Sequence, residues 1–156
     1  MQYIKGKNLE EILFEEKTTY SELDALILVN KLLLIVQYLH EKHIFHLDIR
    51  PPNLILNKED IYLIDFGLAK QLTPHQTELI QREEQEDYYS LGECLLFILY
   101  SQFDGKRSKS KSWLEELSLS EHTAIVIKKL LGISNEYHSI NEIKRDLKQA
   151  ICYLTR

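Results

Sequence analysis

Apolar side chains fall on nearly every face of the stretch 21–41, with Glu22 and Asp24 near its start, and this pattern predicts a long, largely buried helix. A second apolar run over 88–100 predicts another buried helix, with Asp87 at its N-terminus. Two such helices imply a helical core. Amphipathic runs over 120–131 and 139–153 each open on a serine cap, Ser120 and Ser139, and a connector from Gly132 to His138 joins them. Near the start, Gly6, Lys7 and Asn8 read as a turn in which Asn8 caps a short surface helix through Leu9, Ile12 and Leu13.

Pro51 and Pro52 block a regular helix or a central strand across 43–53, so an ordered loop is expected there. Leu54-Ile55-Leu56 and Ile61-Tyr62-Leu63-Ile64 then flank the polar tetrad Asn57-Lys58-Glu59-Asp60, the pattern of two short strands and a turn. Residues 67–86 are polar and weakly patterned. Residues 104–112 are rich in Lys, Arg, Ser and Gly without apolar periodicity. They read as a solvated loop, with a phosphate or acidic-partner contact as the sharper alternative.

Composition narrows the function classes. A chain of 156 residues suits one domain with a real core. A net charge of -5 gives no overall basic field, so neither nucleic acid nor an anionic membrane is expected as the main partner. Cys94 and Cys152 show no metal or disulfide spacing, which fits a reducing cytoplasm. The first seven residues form no apolar signal core, and the most apolar stretch, 25–36, is interrupted by Asn30 and Lys31, short of the ~20 residues that span a bilayer. The five glycines are too scattered to build a Gly-rich phosphate loop.

Candidate chemistry lies in an ordering of polar residues rather than in any one of them. Asp48, Asn53 and, after the strand-turn-strand, Asp65 place two carboxylates and an amide at the end of one hairpin. Such oxygen ligands suit a hard cation such as magnesium. A carboxylate just outside that shell could accept a proton from an attacking hydroxyl.

These motifs, in this order, resemble the C-terminal lobe of the eukaryotic-type protein kinase family. The family's catalytic loop is matched by His46-Leu47-Asp48-Ile49-Arg50-Pro51-Pro52-Asn53, and its Asp-Phe-Gly by Asp65-Phe66-Gly67. Tyr38-Leu39-His40 resembles the end of the preceding helix, Met1-Gln2-Tyr3-Ile4 the hinge, and Asp87-Tyr88-Tyr89-Ser90-Leu91-Gly92 the start of the central buried helix.

The resemblance implies a mainly α fold with a small β-hairpin over 1–156, a kinase C-lobe without the N-terminal β lobe. In it, 1–7 is hinge-like, and 43–67 carries the catalytic loop, hairpin and Asp-Phe-Gly. It also implies ATP and magnesium as cofactors, with Asp48 orienting the substrate hydroxyl and accepting its proton, and Asn53 and Asp65 holding magnesium. Arg50 stands where a lysine usually touches the transferred phosphate. Gln2 and Ile4 belong to the adenine-binding hinge, and Ile55 packs under the ring or simply fills its strand.

Several family features are missing. No Gly-rich loop, strand lysine or helix glutamate precedes Met1, so weak or absent autonomous activity is expected unless an N-lobe-bearing chain or self-association completes the cleft. Ala124-Ile125-Val126-Ile127-Lys128 echoes the strand-lysine motif but follows Asp65 and carries a helical pattern. The segment from Asp65 to Asp87 is short for the family and lacks Ala-Pro-Glu, and His138 stands where that glutamate's arginine partner would be. Leu47 replaces the arginine that would receive an activation-loop phosphate on Thr73 or Thr77. Three readings stay open: a kinase lobe acting on a protein substrate, a pseudokinase-like interaction module, and an atypical or small-molecule kinase.

Overall fold

The Ser21 hydroxyl accepts a hydrogen bond from Asp24 N and starts α2 (Glu22–His40), which follows a shorter α1 (Leu9–Phe14) capped by Asn8. The computed structural model describes residues 4–156. At α1, Asn8 and Glu11 form a reciprocal capping box that satisfies two otherwise orphaned backbone donors. By length and composition alone α2 could cross a bilayer, yet it is the core helix, burying residues from Ala25 to His40. It packs against α3 (Thr77–Leu99) and α6 (Ile140–Leu154). A four-residue α4 (Trp113–Glu116) follows the basic loop, and α5 (Glu121–Leu130) packs between α3 and α6. Ser120 and Ser139 cap the last two helices as expected.

Gly92 shows how close α3 and α5 run. A Cβ there would stand 2.9 Å from Leu130 Cβ and from Leu131 Cδ2. The echo of a strand-lysine motif, Ala124 to Lys128, lies within α5, with Val126 and Ile127 fully buried.

Two sequence expectations are corrected here. The helix expected over 88–100 begins at Thr77, so Asp87 is not its cap but a buried residue ten positions inside α3. The polar surface of 77–86 concealed this, because only one side of that first part faces the protein. The turn expected at Gly6-Lys7-Asn8 is instead a strand, β1 (Lys7–Asn8). It pairs antiparallel with β3 (Leu54–Asn57), Lys7 opposite Leu56 and Asn8 opposite Ile55. A Cβ on Gly6 would fall 2.5 Å from Leu56 O, so only glycine lets the chain lie this close to β3.

The hairpin expected after the proline loop is present: β3 pairs with β4 (Asp60–Leu63), Leu54 opposite Leu63 and Asn57 opposite Asp60. Inside 43–53, β2 (Ile44–Phe45) pairs with β5 (Lys70–Gln71), and Pro51–Asn53 form one 3-10 turn. A two-residue pairing is too short to show as alternation in sequence.

Candidate active site

The loop between β2 and β3 is held from beneath by one carboxylate. Asp87, fully buried in α3, accepts hydrogen bonds at Oδ2 from His46 N at 3.0 Å and at Oδ1 from Leu47 N at 2.8 Å. Its Oδ2 also meets His40 Nε2 at 2.8 Å, at the end of α2. His40 Nδ1 is buried without a partner, so the ring's one strong contact is with Asp87. A buried carboxylate is tolerated because three donors converge on it.

This grip holds Leu47 in the left-handed region, with φ 60. A branched apolar residue there is strained by on the order of 1–2 kcal/mol, and its anchored backbone offsets the cost. One residue later stands Asp48. Asn53, nearly buried, donates through Nδ2 to Asp48 O at 2.9 Å and to Asp48 Oδ2 at 2.8 Å. Arg50 Nε lies 3.0 Å from Asp48 Oδ1. Both carboxylate oxygens are therefore oriented by neighbours, while the side chain keeps 22% of its exposure. Two contacts fix the underside of the loop. Ile49 is buried, and its carbonyl accepts from the Cys94 thiol at 3.6 Å. Burial pushes that thiol up to about 12.

Ile64 joins this loop to the residue that follows it. Its N–H donates to Asn53 O at 2.9 Å, and its carbonyl lies 3.1 Å from His46 Nε2. Asp48 N donates to His46 Nδ1 at 3.3 Å, so Nε2 carries the proton donated to Ile64. Asp65, next in sequence, also has a positive φ of 62, is exposed, and accepts from Gly67 N at 3.1 Å through Oδ1. Phe66 packs edge-on against His46 with ring centroids 4.8 Å apart.

The predicted trio is thus brought to one end of the hairpin: Asp48 and Asn53 in direct contact, Asp65 adjoining through Ile64. Asn53 spends Nδ2 on Asp48, which leaves its Oδ1 as the hard donor not engaged there. One Asp65 oxygen is likewise not used by Gly67. This donor set fits a magnesium ion completed by phosphate oxygens and water, which needs only one or two protein ligands. Among the described residues no cluster of three or more His, Cys, Asp and Glu side chains could hold a metal by itself.

Ile55 lies half-buried on β3 opposite Asn8, and Ile4 is half-buried just before β1. Gln2 lies outside the described residues, as do Met1 and Tyr3 of the hinge-like segment. Where His138 was matched to the missing arginine, the bond between α3 and the last connector runs instead from Gln85 Nε2 to Tyr137 O at 2.7 Å.

Three structural residues escaped the sequence reading: Asp87 as anchor, and Lys70 with Glu83. Lys70 Nζ meets the buried Glu83 at 2.8 Å and ties β5 to α3. Glu83, Asp87, Leu91 and Leu95 recur every four residues. Following the apolar stripe backwards in that register would have exposed both acids.

The family profile for the protein kinase domain matches residues 1–155. The chain belongs to the protein kinase family. A curated relative named "Probable serine/threonine-protein kinase YbdM", from Bacillus subtilis (strain 168), is 51% identical over 99% of this kinase chain and 60% of the relative's length. The chain therefore spans about three-fifths of that protein. Myosin light chain kinase 3 from Danio rerio is 37% identical over 79 residues, 49% of this chain and 11% of that one. Among solved structures, a Rad53 kinase domain in complex with AMPPNP superposes with a TM-score of 0.71 at 18% identity, covering 99% of this chain and 76% of that one. The fold of the lobe is that of a kinase domain, mainly helical with small sheets.

Proposed function

We propose that this chain carries the catalytic half of an ATP- and magnesium-dependent serine/threonine protein kinase, acting when a nucleotide-clamping lobe sits on it. The observation that carries this reading is Asp48, whose carboxylate is oriented by Asn53 and Arg50 in a loop anchored to the core through Asp87. A proton acceptor held this way, yet still open to solvent, is what a phosphoryl acceptor hydroxyl needs. A remnant kept only as an interaction surface has no use for a strained Leu47 or for two bonds from Asn53 to Asp48.

Asp48 orients the attacking hydroxyl and takes its proton. Arg50, paired to Asp48, places a fixed positive charge beside the transferred group. Asn53 and Asp65 would hold magnesium, which when bound neutralises charge on the nucleotide phosphates. Ile4 and Ile55 border the place for the adenine. The exposed Phe66 and Leu68 beside this site offer an apolar seat for the second lobe, from an N-lobe-bearing chain or a second copy.

The test pairs this chain with the part of the Bacillus relative that it does not cover. Phosphate transfer from labelled ATP to a protein serine or threonine, abolished by Asp48→Ala, is expected of the pair. The 156-residue chain alone should bind MgATP poorly, because positioning by both lobes supplies most of the catalysis. Micromolar MgATP binding by the monomeric chain, or no transfer by a folded pair, would overturn the reading.

A further inference from the structure

Two buried acids stand one turn apart on α3, Glu83 and Asp87. Like charges at this spacing repel, so each needs a partner of its own. Asp87 finds its donors on the loop that carries Asp48 and at the end of α2. Glu83 has one ion-pair partner among the described residues, Lys70 Nζ at 2.8 Å, and its side chain is only 6% exposed. The roles proposed above for Asp48, Asn53 and Asp65 make no use of this second pair.

Lys70 opens β5, and its place in the ribbon joins the two halves of the site. It pairs with Phe45, which is fully buried and lies three positions before Asp48. Asp65 lies five positions before Lys70, and Ala69 N closes the intervening turn on Phe66 O at 3.1 Å. A two-residue ribbon is marginal by itself, so its hold on the core matters. One strand is held by Phe45, the other by Lys70 through Glu83.

Asp65 depends on such a hold. Its φ of 62 lies in the left-handed region, a conformation that costs free energy and persists where the surroundings fix it. On the upstream side Ile64 N is bonded to Asn53 O at 2.9 Å. On the downstream side the first tie to α3 is Lys70 on Glu83.

Resting on the kinase reading above, we infer that Glu83 and Lys70 are positioning residues for phosphoryl transfer: their ion pair seats β5 on α3 and so sets Asp65, the magnesium ligand of that reading, in place relative to Asp48. Neither residue touches the reacting groups. Glu83 acts through Lys70, and Lys70 through the turn that leads back to Asp65. Without the pair that turn is free to relax, the Asp65 carboxylate leaves its place, and the alignment of the transferred group is lost.

The test uses this chain paired with the part of the Bacillus relative that it does not cover. Lys70→Met keeps the apolar stem but leaves a buried carboxylate unpaired, so it should melt lower than wild type. Adding Glu83→Met should recover most of that loss, because a buried ion pair replaced by apolar groups of similar size costs little. The kcat of the double variant should nonetheless stay roughly ten- to a hundredfold down. The magnesium concentration for half-maximal rate should rise, and KM for the protein substrate should not change. Lys70→Arg, which remakes the charged contact, should return kcat towards wild type. Should the double variant not fold, Glu83→Gln, which removes the charge alone, is measured in its place. Full kcat per folded molecule in the charge-free variant would make the pair a structural staple and overturn the inference. Amide exchange on the chain alone gives a readout independent of transfer: the N–H groups of Ala69 and of Leu72, which donates to His43 O, should exchange about tenfold faster, with those of α2 and α5 unchanged. Unchanged exchange at both would also overturn it. No transfer by a folded wild-type pair would sink the kinase reading, and the exchange rates alone would then decide whether Glu83 holds the segment.

Discussion

Asp87 reaches across forty residues of sequence to hold Leu47: its Oδ1 accepts the Leu47 N–H at 2.8 Å, and Leu47 keeps a φ of 60. A carboxylate placed inside a core helix thus dictates the backbone of the loop that carries Asp48. The helix provides a rigid base, and the loop need not encode its own shape.

Asp87→Asn should therefore be costly although it preserves size. One acceptor oxygen becomes an NH2 facing a backbone donor or the His40 ring, at a fully buried position. A loss of about 2–4 kcal/mol is expected in urea unfolding. A change below about 1 kcal/mol would mean that the loop holds its shape by other means.

Asp65→Asn should behave in the opposite way. Asparagine tolerates a positive φ, and its Oδ1 can still accept from Gly67 N, so the fold should change by less than about 0.5 kcal/mol. Magnesium-dependent nucleotide binding by the two-lobe assembly should nonetheless vanish, since a neutral amide is a weaker ligand for a hard cation. Thermal melts with and without MgATP separate the effects; a clear loss of stability without ligand would make Asp65 a structural residue.

The two thiols should differ sharply in reactivity. Cys94 is buried, with its pKa pushed to about 12, whereas Cys152 is exposed on the last helix. In native protein a disulfide reagent should titrate a single thiol, and the second only after denaturation. Rapid modification of both would show that α3 opens beneath the loop that carries Asp48.

Acid should weaken the tie between α5 and α6. Burial alone would raise the Asp146 carboxyl, but Lys129 at 2.8 Å and the Tyr137 hydroxyl at 3.1 Å outweigh it and hold it below its ordinary 3.8. A depressed carboxylate pKa contributes stability that is complete above the unfolded value and disappears as pH falls through the folded one. The stability gap between wild type and Asp146→Asn should accordingly stay constant from neutral pH to about 5 and close below 3.8. Denaturant titrations at several pH values check this; a constant gap down to pH 2 would contradict it.

Sequence made the helical frame legible because the run over 21–41 is long and apolar on nearly every face, those over 120–131 and 139–153 are amphipathic, and all three open on a serine cap. That Asp48, Asn53 and Asp65 meet at one end of the hairpin was legible as well, since each stands in a motif of fixed spacing. The start of α3 was not: its first turns bury only a narrow stripe, and two members of that stripe, Glu83 and Asp87, are acids that pair with Lys70 and with the catalytic loop. A polarity pattern misreads buried charges whose partners lie far along the chain. β1 escaped for a different reason, because its two residues owe their extended form to β3 and to the absence of a side chain at Gly6.

The ribbon between β2 and β5 leaves the following segment little slack. Phe45 pairs with Lys70, Leu72 N donates to His43 O at 2.9 Å, and Lys70 is tied to Glu83, before α3 takes over at Thr77. A switch that works by melting and refreezing a long loop draws on the ordering entropy of many residues, roughly 1–2 kcal/mol each. Here only a handful of positions are untethered, so that reservoir is small. A lobe built this way is a preset component, a lock already cut, whose site keeps one shape without a long loop having to order first.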